Sequence, residues 1–182
     1  MPGARSTDRY APLAQALHWL TALLVLGLIA VGLWMVALPI GFTKLYAYGW
    51  HKWIGLTIMV LTLVRLAWRW RHPPPPLPLR LARWERVLAP AAHALLYLLL
   101  LAMPLSGWLM TSAAGLPVFW FGLFQVPDLV GRDPQLFELF RATHHWLSRA
   151  VILLLAIHIG AVLRHDVLRR DGVLRRMWPF AT

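Results

Sequence analysis

Thr143-His144-His145-Trp146 and, further along the same apolar run, Ile157-His158-Ile159 decide how this chain is read. His144 and His158 are fourteen residues apart. Over that interval an α-helix, turning by ~100° per residue, returns to within roughly 40° of its starting face and rises about 21 Å. One helix therefore presents two imidazoles on one side, near opposite faces of a hydrocarbon core about 30 Å thick. Imidazole is the usual axial ligand of non-covalently held haem, and two such levels point to two stacked haems. His145 does not share this face: thirteen steps separate it from His158, which leaves the two on roughly opposite sides.

The remainder of the chain has the composition of a membrane protein. Of its 182 residues 59% are hydrophobic, and 11 are Trp. Its mean hydropathy is +0.60. Near-uncharged apolar runs of membrane length recur along it, which a soluble domain of this size does not carry. The formal charge of +11 is concentrated between those runs, a pattern of membrane topology rather than of nucleic-acid binding. Cysteine is absent, which excludes disulfides, iron–sulfur clusters and thioether-linked haem. Histidine, with eight copies, remains as the main metal-ligand type. The first apolar run is too long for a cleavable signal peptide and lacks a small-residue cleavage site.

These runs predict an all-α integral membrane protein, a single domain over residues 1–182 built as a four-transmembrane-helix bundle. The spans are placed at about 15–38, 49–70, 90–112 and 141–163. Pro90 suits the first turn of the third span, and Pro104 is expected to kink it. The run Pro73-Pro74-Pro75-Pro76 reads as a stiff extended linker. Arg5 and Arg9 precede the first span, Arg71, Arg80, Arg83 and Arg86 surround the proline linker, and Arg164, Arg169, Arg170, Arg175 and Arg176 follow the last span. The opposite connections hold Lys44, Lys52, Arg132 and Arg141, with Asp128, Asp133 and Glu138. Both termini are therefore predicted cytoplasmic. Trp34, Trp50, Trp53, Trp68 and Trp70 sit near the span ends as an interfacial belt would.

With that topology each histidine acquires a depth. His51 and His144 share an outer level, and His18 and His158 an inner one, so each level holds the two imidazoles of a six-coordinate haem iron. Intramembrane histidine is uncommon and functional by default. The same fourteen-residue step from His18 lands on Gly32 and from His93 on Gly107, both at the outer level. Glycine there lets a porphyrin lie against the helix, although small residues also serve ordinary helix packing. From His51 the step lands on Arg65, placed either to pair a haem propionate or to snorkel to the headgroups. His93 is a surplus inner histidine, a candidate for a propionate or quinone contact, for a place at the interface alone, or for replacing His18 as ligand. His145 reads as interfacial, and His72 and His165 lie in basic connections.

Leu17-His18-Trp19, Trp50-His51-Lys52 with Gly55, His93 with Tyr97 and Pro104-Leu105-Ser106-Gly107-Trp108, and His144 with His158 together resemble the prokaryotic cytochrome b561 family. That family is similar to the cytochrome b subunits of nickel–iron hydrogenases and formate dehydrogenases. The resemblance spans about Tyr10 to Arg170. It implies two haem b groups ligated from the first, second and fourth spans, with none from the third, in the bacterial cell inner membrane. Stand-alone members are quinone-linked, and one kind oxidises superoxide and reduces ubiquinone. The implied partners are thus membrane lipid, quinone and superoxide. Lys52 and Arg149, with His145, then read as cations guiding superoxide, or as contacts for headgroups or a propionate. An alternative is an anchor subunit exchanging electrons with a periplasmic hydrogenase or dehydrogenase. A histidine-lined metal or proton transporter is a different class. It is disfavoured because all Asp and Glu fall outside the spans, and proton relays use buried carboxylates.

Overall fold

The computed structural model describes residues 9–77 and 81–179. Arg5 and Arg80, two of the basic residues used to orient the chain, lie outside the described residues. Four long helices dominate: α1 (Pro12–Ala37), α2 (Phe42–Arg71), α3 (Arg83–Ala113) and α4 (Pro134–Leu163). All four are long and apolar enough to cross a membrane. The last continues into a π-helical turn, Arg164–Arg169, before the short α5 (Val173–Met177).

The helices extend beyond the apolar runs. α4 begins at Pro134 rather than near Arg141, because Asp133 caps it: its carboxylate accepts from the Gln135 and Leu136 amides, and Pro134 suits the first turn. α3 begins at Arg83, so Pro90 lies inside the helix and not at its start. Glu85 accepts from the Ala82 amide in its first turn. α3 is assigned as one helix through Pro104.

The bundle is apolar outside and small or polar within. Leu23, Leu33, Leu98 and Leu153 are among many exposed aliphatic side chains, whereas Thr21, Thr62 and Ser112 are the most completely buried. That inversion suits a lipid solvent, in which small side chains let helices approach. The buried hydroxyls are satisfied locally: Thr21 donates to the Leu17 carbonyl and Thr62 to that of Ile58. α3 packs along α4, α1 along α2, and α2 along α3.

Between α3 and α4 the sequence reading expected a plain connection. It contains a hairpin instead, β1 (Val118–Trp120) paired antiparallel with β2 (Phe124–Val126). Phe121 and Gly122 both take positive φ at its turn. Val118 and Val126 pack on Leu56 of α2, and Trp120 donates its indole N–H to the Thr57 hydroxyl at 3.3 Å. At the opposite end the last residues fold over α1. The Trp19 indole N–H donates to the Met177 carbonyl, and Gln15, buried, donates to those of Tyr10 and Arg176.

Candidate haem-binding site

Two pairs of imidazoles face each other inside the bundle. His51 of α2 and His144 of α4 have ring centres 6.4 Å apart with planes at 70°. His18 of α1 and His158 of α4 have centres 6.4 Å apart with planes at 62°. The first pair lies toward the hairpin end of the bundle, the second toward the end where Tyr10 meets Arg176. Two rings bound on opposite sides of one metal, each through a bond of about 2.0 Å, have centres about 6 Å apart. Both separations match that spacing, and neither pair fills it with a hydrogen bond between the rings.

Glycine makes room for the hairpin-end pair. A Cβ on Gly32 would stand 3.1 Å from Cε1 of His51, and one on Gly107 would stand 3.1 Å from Cε1 of His144. The fourteen-residue step had put both glycines at this level. Their measured contact is with the imidazoles, which lie against the bare backbone of α1 and α3. His144 is also held by Ser106, whose hydroxyl lies 3.0 Å from Nδ1. Nδ1 of His51 is buried without a hydrogen-bond partner.

The second level is more polar. The Arg65 guanidinium donates to Nδ1 of His18 at 3.2 Å and lies over the Tyr97 ring at 5.3 Å. Arg69 lies over the other side of this cluster, 5.9 Å from the same ring. An imidazole that accepts at Nδ1 carries its proton on Nε2. Coordination through His18 Nε2 therefore requires Arg65 to turn away from Nδ1, and a propionate carboxylate is the acceptor that a freed guanidinium favours. His93 of α3 completes the group, its ring centre 5.7 Å from that of His158. That is closer than the His18–His158 pair, so His93 belongs to the same cluster and not to the interface alone.

The remaining sequence candidates lie elsewhere. Arg149 is exposed and stacks over Trp146, 4.7 Å from the ring centre. Lys52 is half-buried one residue after His51, and His145 is exposed. His72 stacks on Trp68, while His165 is buried between Glu85 and Asp171. Ser106 and Arg69 escaped the sequence reading as site residues. Ser106 had one available signal, its position beside Gly107; Arg69 follows Arg65 by one helical turn.

Paired imidazoles at two depths of a membrane bundle, lined by glycine and guanidinium, describe a class: an integral membrane cytochrome of the b type. Residues 9–180 match the family model described as prokaryotic cytochrome b561, and the chain belongs to that family. It is 37% identical to cytochrome b561 homolog 2 of Escherichia coli K12, with 97% of this chain and 95% of that protein covered. It is 28% identical to cytochrome b561 homolog 1 of the same organism, covering 94% and 98%. It is 30% identical to the probable superoxide oxidase CybB of Yersinia pestis, covering 94% and 96%. The chain is accordingly a haem b-binding electron-transfer protein, multi-pass in the bacterial inner membrane.

Proposed function

We propose that the chain holds two haems b and passes electrons from periplasmic superoxide to ubiquinone. The observation that carries the two-haem reading is the repetition of one ring separation, 6.4 Å, at two levels joined by α4. In this reading His51 and His144 ligate the outer iron, and His18 and His158 the inner one. Arg65 and His93 contact a propionate or the quinone, and both termini are cytoplasmic. Haem would supply one-electron chemistry, and held between two histidines it would carry electrons rather than bind oxygen. The overall reaction balances when two superoxide anions each lose one electron to give oxygen. Ubiquinone then takes two electrons and two protons to give the quinol. The superoxide assignment is supported by the likeness to the probable superoxide oxidase of Yersinia pestis.

Haem content tests the ligands. Two haems b per chain, both low-spin, are expected in the purified protein. His51→Ala or His144→Ala is expected to remove one haem, and His18→Ala or His158→Ala the other, with His93→Ala and His145→Ala keeping both. Loss of a haem in His145→Ala with both retained in His144→Ala would overturn the assignment. Anaerobic mixing with superoxide tests the donor: haem reduction is expected within the mixing experiment. Reduction only by a purified periplasmic dehydrogenase would replace this reading with that of an anchor subunit.

A further inference from the structure

We infer that Ser106 is a positioning residue for the outer haem, fixing the tautomer and the electron-donating strength of His144. The inference rests on the reading of His144 as an axial ligand. Ser106 lies on α3, a helix that supplies no ligand in that reading, and it is 4% exposed. Its Oγ stands 2.7 Å from the Met103 carbonyl oxygen and 3.0 Å from Nδ1 of His144. A hydroxyl has one hydrogen and two lone pairs. A carbonyl can only accept, so the Ser106 hydrogen is committed to Met103. Its oxygen is left to accept from His144, which puts the imidazole hydrogen on Nδ1. The lone pair is then on Nε2, the nitrogen that a metal needs.

Gly107, the next residue, completes the setting. The His144 ring lies against its backbone, where a Cβ would stand 3.1 Å from Cε1 and 3.3 Å from Nδ1. Two consecutive residues thus fix both the orientation of the ring and the place of its hydrogen. A second hydrogen bond of this kind raises the basicity of a metal-bound histidine. More basic ligands stabilise the ferric over the ferrous state, so Ser106 lowers the potential of the outer haem.

The other three ligands lack this device. His51 shares the outer level, and its Nδ1 is buried without a partner. Nδ1 of His18 is met by Arg65, a donor and not an acceptor, so no acceptor like Ser106 stands there. No side-chain hydrogen bond of His158 appears among the described contacts. The pull on the outer haem therefore comes from α3, where His144 also faces the Met103 carbonyl that holds the Ser106 hydroxyl, and the hydroxyl's share of it is separable by mutation.

The test is a redox titration of the purified diheme protein with spectra of each haem, on Ser106→Ala, Ser106→Cys and Ser106→Thr. Ser106→Ala is expected to keep both haems and shift the outer midpoint upward, leaving the inner one in place as an internal control. Its low-spin electron paramagnetic resonance signal is expected to change for the outer haem alone, because the ring is freed to rotate. Ser106→Thr, whose hydroxyl can repeat both contacts, is expected to restore the wild-type midpoint. Ser106→Cys, a weaker acceptor, is expected to fall between. Equal midpoints in all variants, or equal shifts of both haems, would overturn the inference. If Ser106→Ala fails to take up haem, the order of the Cys and Thr variants still decides: Cys above Thr supports the role, and identical values overturn it. Should His144→Ala retain its outer haem, the ligand reading fails instead, and Ser106 then has no ligand through which to act on that haem.

Discussion

At the scale of single residues the two close-approach glycines make a sharp comparison. Gly32 and Gly107 meet histidine rings where a Cβ would stand 3.1 Å away, whereas Gly27, on the same helix as Gly32, has nothing within 4 Å of that position. A β-branched side chain at the first two must displace an imidazole, because the helix backbone cannot retreat. Gly107→Val is therefore expected to lose one of the two haems, and Gly27→Val to keep both, as read by the haem content of detergent-purified protein. Equal haem content in the two variants would remove the steric role given to Gly107. The histidines were legible from the sequence because a helix converts spacing into face and depth with little freedom. The partners of their second nitrogens were not. Whether Ser106 or a lipid-facing neighbour meets His144 depends on the rotation of α3 about its axis, which no single-helix period reveals. His93 shows the same limit. Its nearness to His158 required the packing of α3 on α4.

At the scale of elements, the apolar runs gave four helices but not their ends. Hydropathy marks where lipid begins, while Asp133 and Pro134 mark where α4 begins, and the two lie about two turns apart. The hairpin was invisible for a different reason. Between Leu116 and Pro127 there is no charged residue, and in two three-residue strands whose one polar side chain is Gln125 the alternation is too short to announce them. The face of Val118 and Val126 packs on Leu56 and Met59, while Phe119 and Gln125, paired across the ladder, share the other face, with Leu123 exposed at the turn. A two-stranded sheet leaves backbone groups unpaired along its outer edges, which hydrocarbon does not tolerate. The hairpin is therefore expected to lie at the headgroup boundary, with its aromatic side toward the acyl chains. The absence of cysteine makes the measurement direct. A nitroxide on Leu123→Cys in vesicles is expected to be relaxed more by oxygen than by a water-soluble nickel chelate, and one on Asp128→Cys the reverse. Nickel access at both sites would place the hairpin in water. Trp120→Phe removes the bond to Thr57 and is expected to cost about 1 kcal/mol, read as a lowered melting temperature with haem content intact.

At the scale of the whole molecule, the proposed function makes the two levels on α4 a conductor set across the bilayer. Fourteen residues at a helical rise of ~1.5 Å place His144 and His158 about 21 Å apart along the axis, roughly two-thirds of a hydrocarbon core of about 30 Å. An electron going from the outer level to the inner one moves toward the negative side of an energised membrane. That transfer costs about 1.5 kcal/mol per 100 mV, taking about 2.3 for the full span. The inner level is the more cationic of the two, with Arg65 and Arg69 around Tyr97, and that field offsets part of the cost by stabilising the reduced state. At the outer level the proposed donor is itself an anion, and Lys52 and Arg149 are cations on that side of α2 and α4, where Lys44 is held by the Leu38 carbonyl and Arg141 by Glu138. Arg149 is exposed and stacked on Trp146, which leaves its charge open to solution or headgroups. If they guide superoxide, the rate of haem reduction falls as salt rises, since screening shortens their reach to about 10 Å at 0.1 M. Lys52→Gln and Arg149→Gln are each expected to slow that step with both haems retained, and a salt-independent rate unchanged in both variants would end the guidance idea. The transverse arrangement is tested separately in sealed vesicles holding the protein in one orientation. With reductant supplied at the His144 side, an imposed potential negative at the His158 side is expected to slow reduction of the second haem. Reversing its sign is expected to speed that reduction. The first haem, loaded from the adjacent aqueous phase, is expected to respond far less. Reduction of the second haem at one rate under both signs would mean that the two levels do not lie across the field. The fourteen-residue spacing would then have lost its electrical meaning.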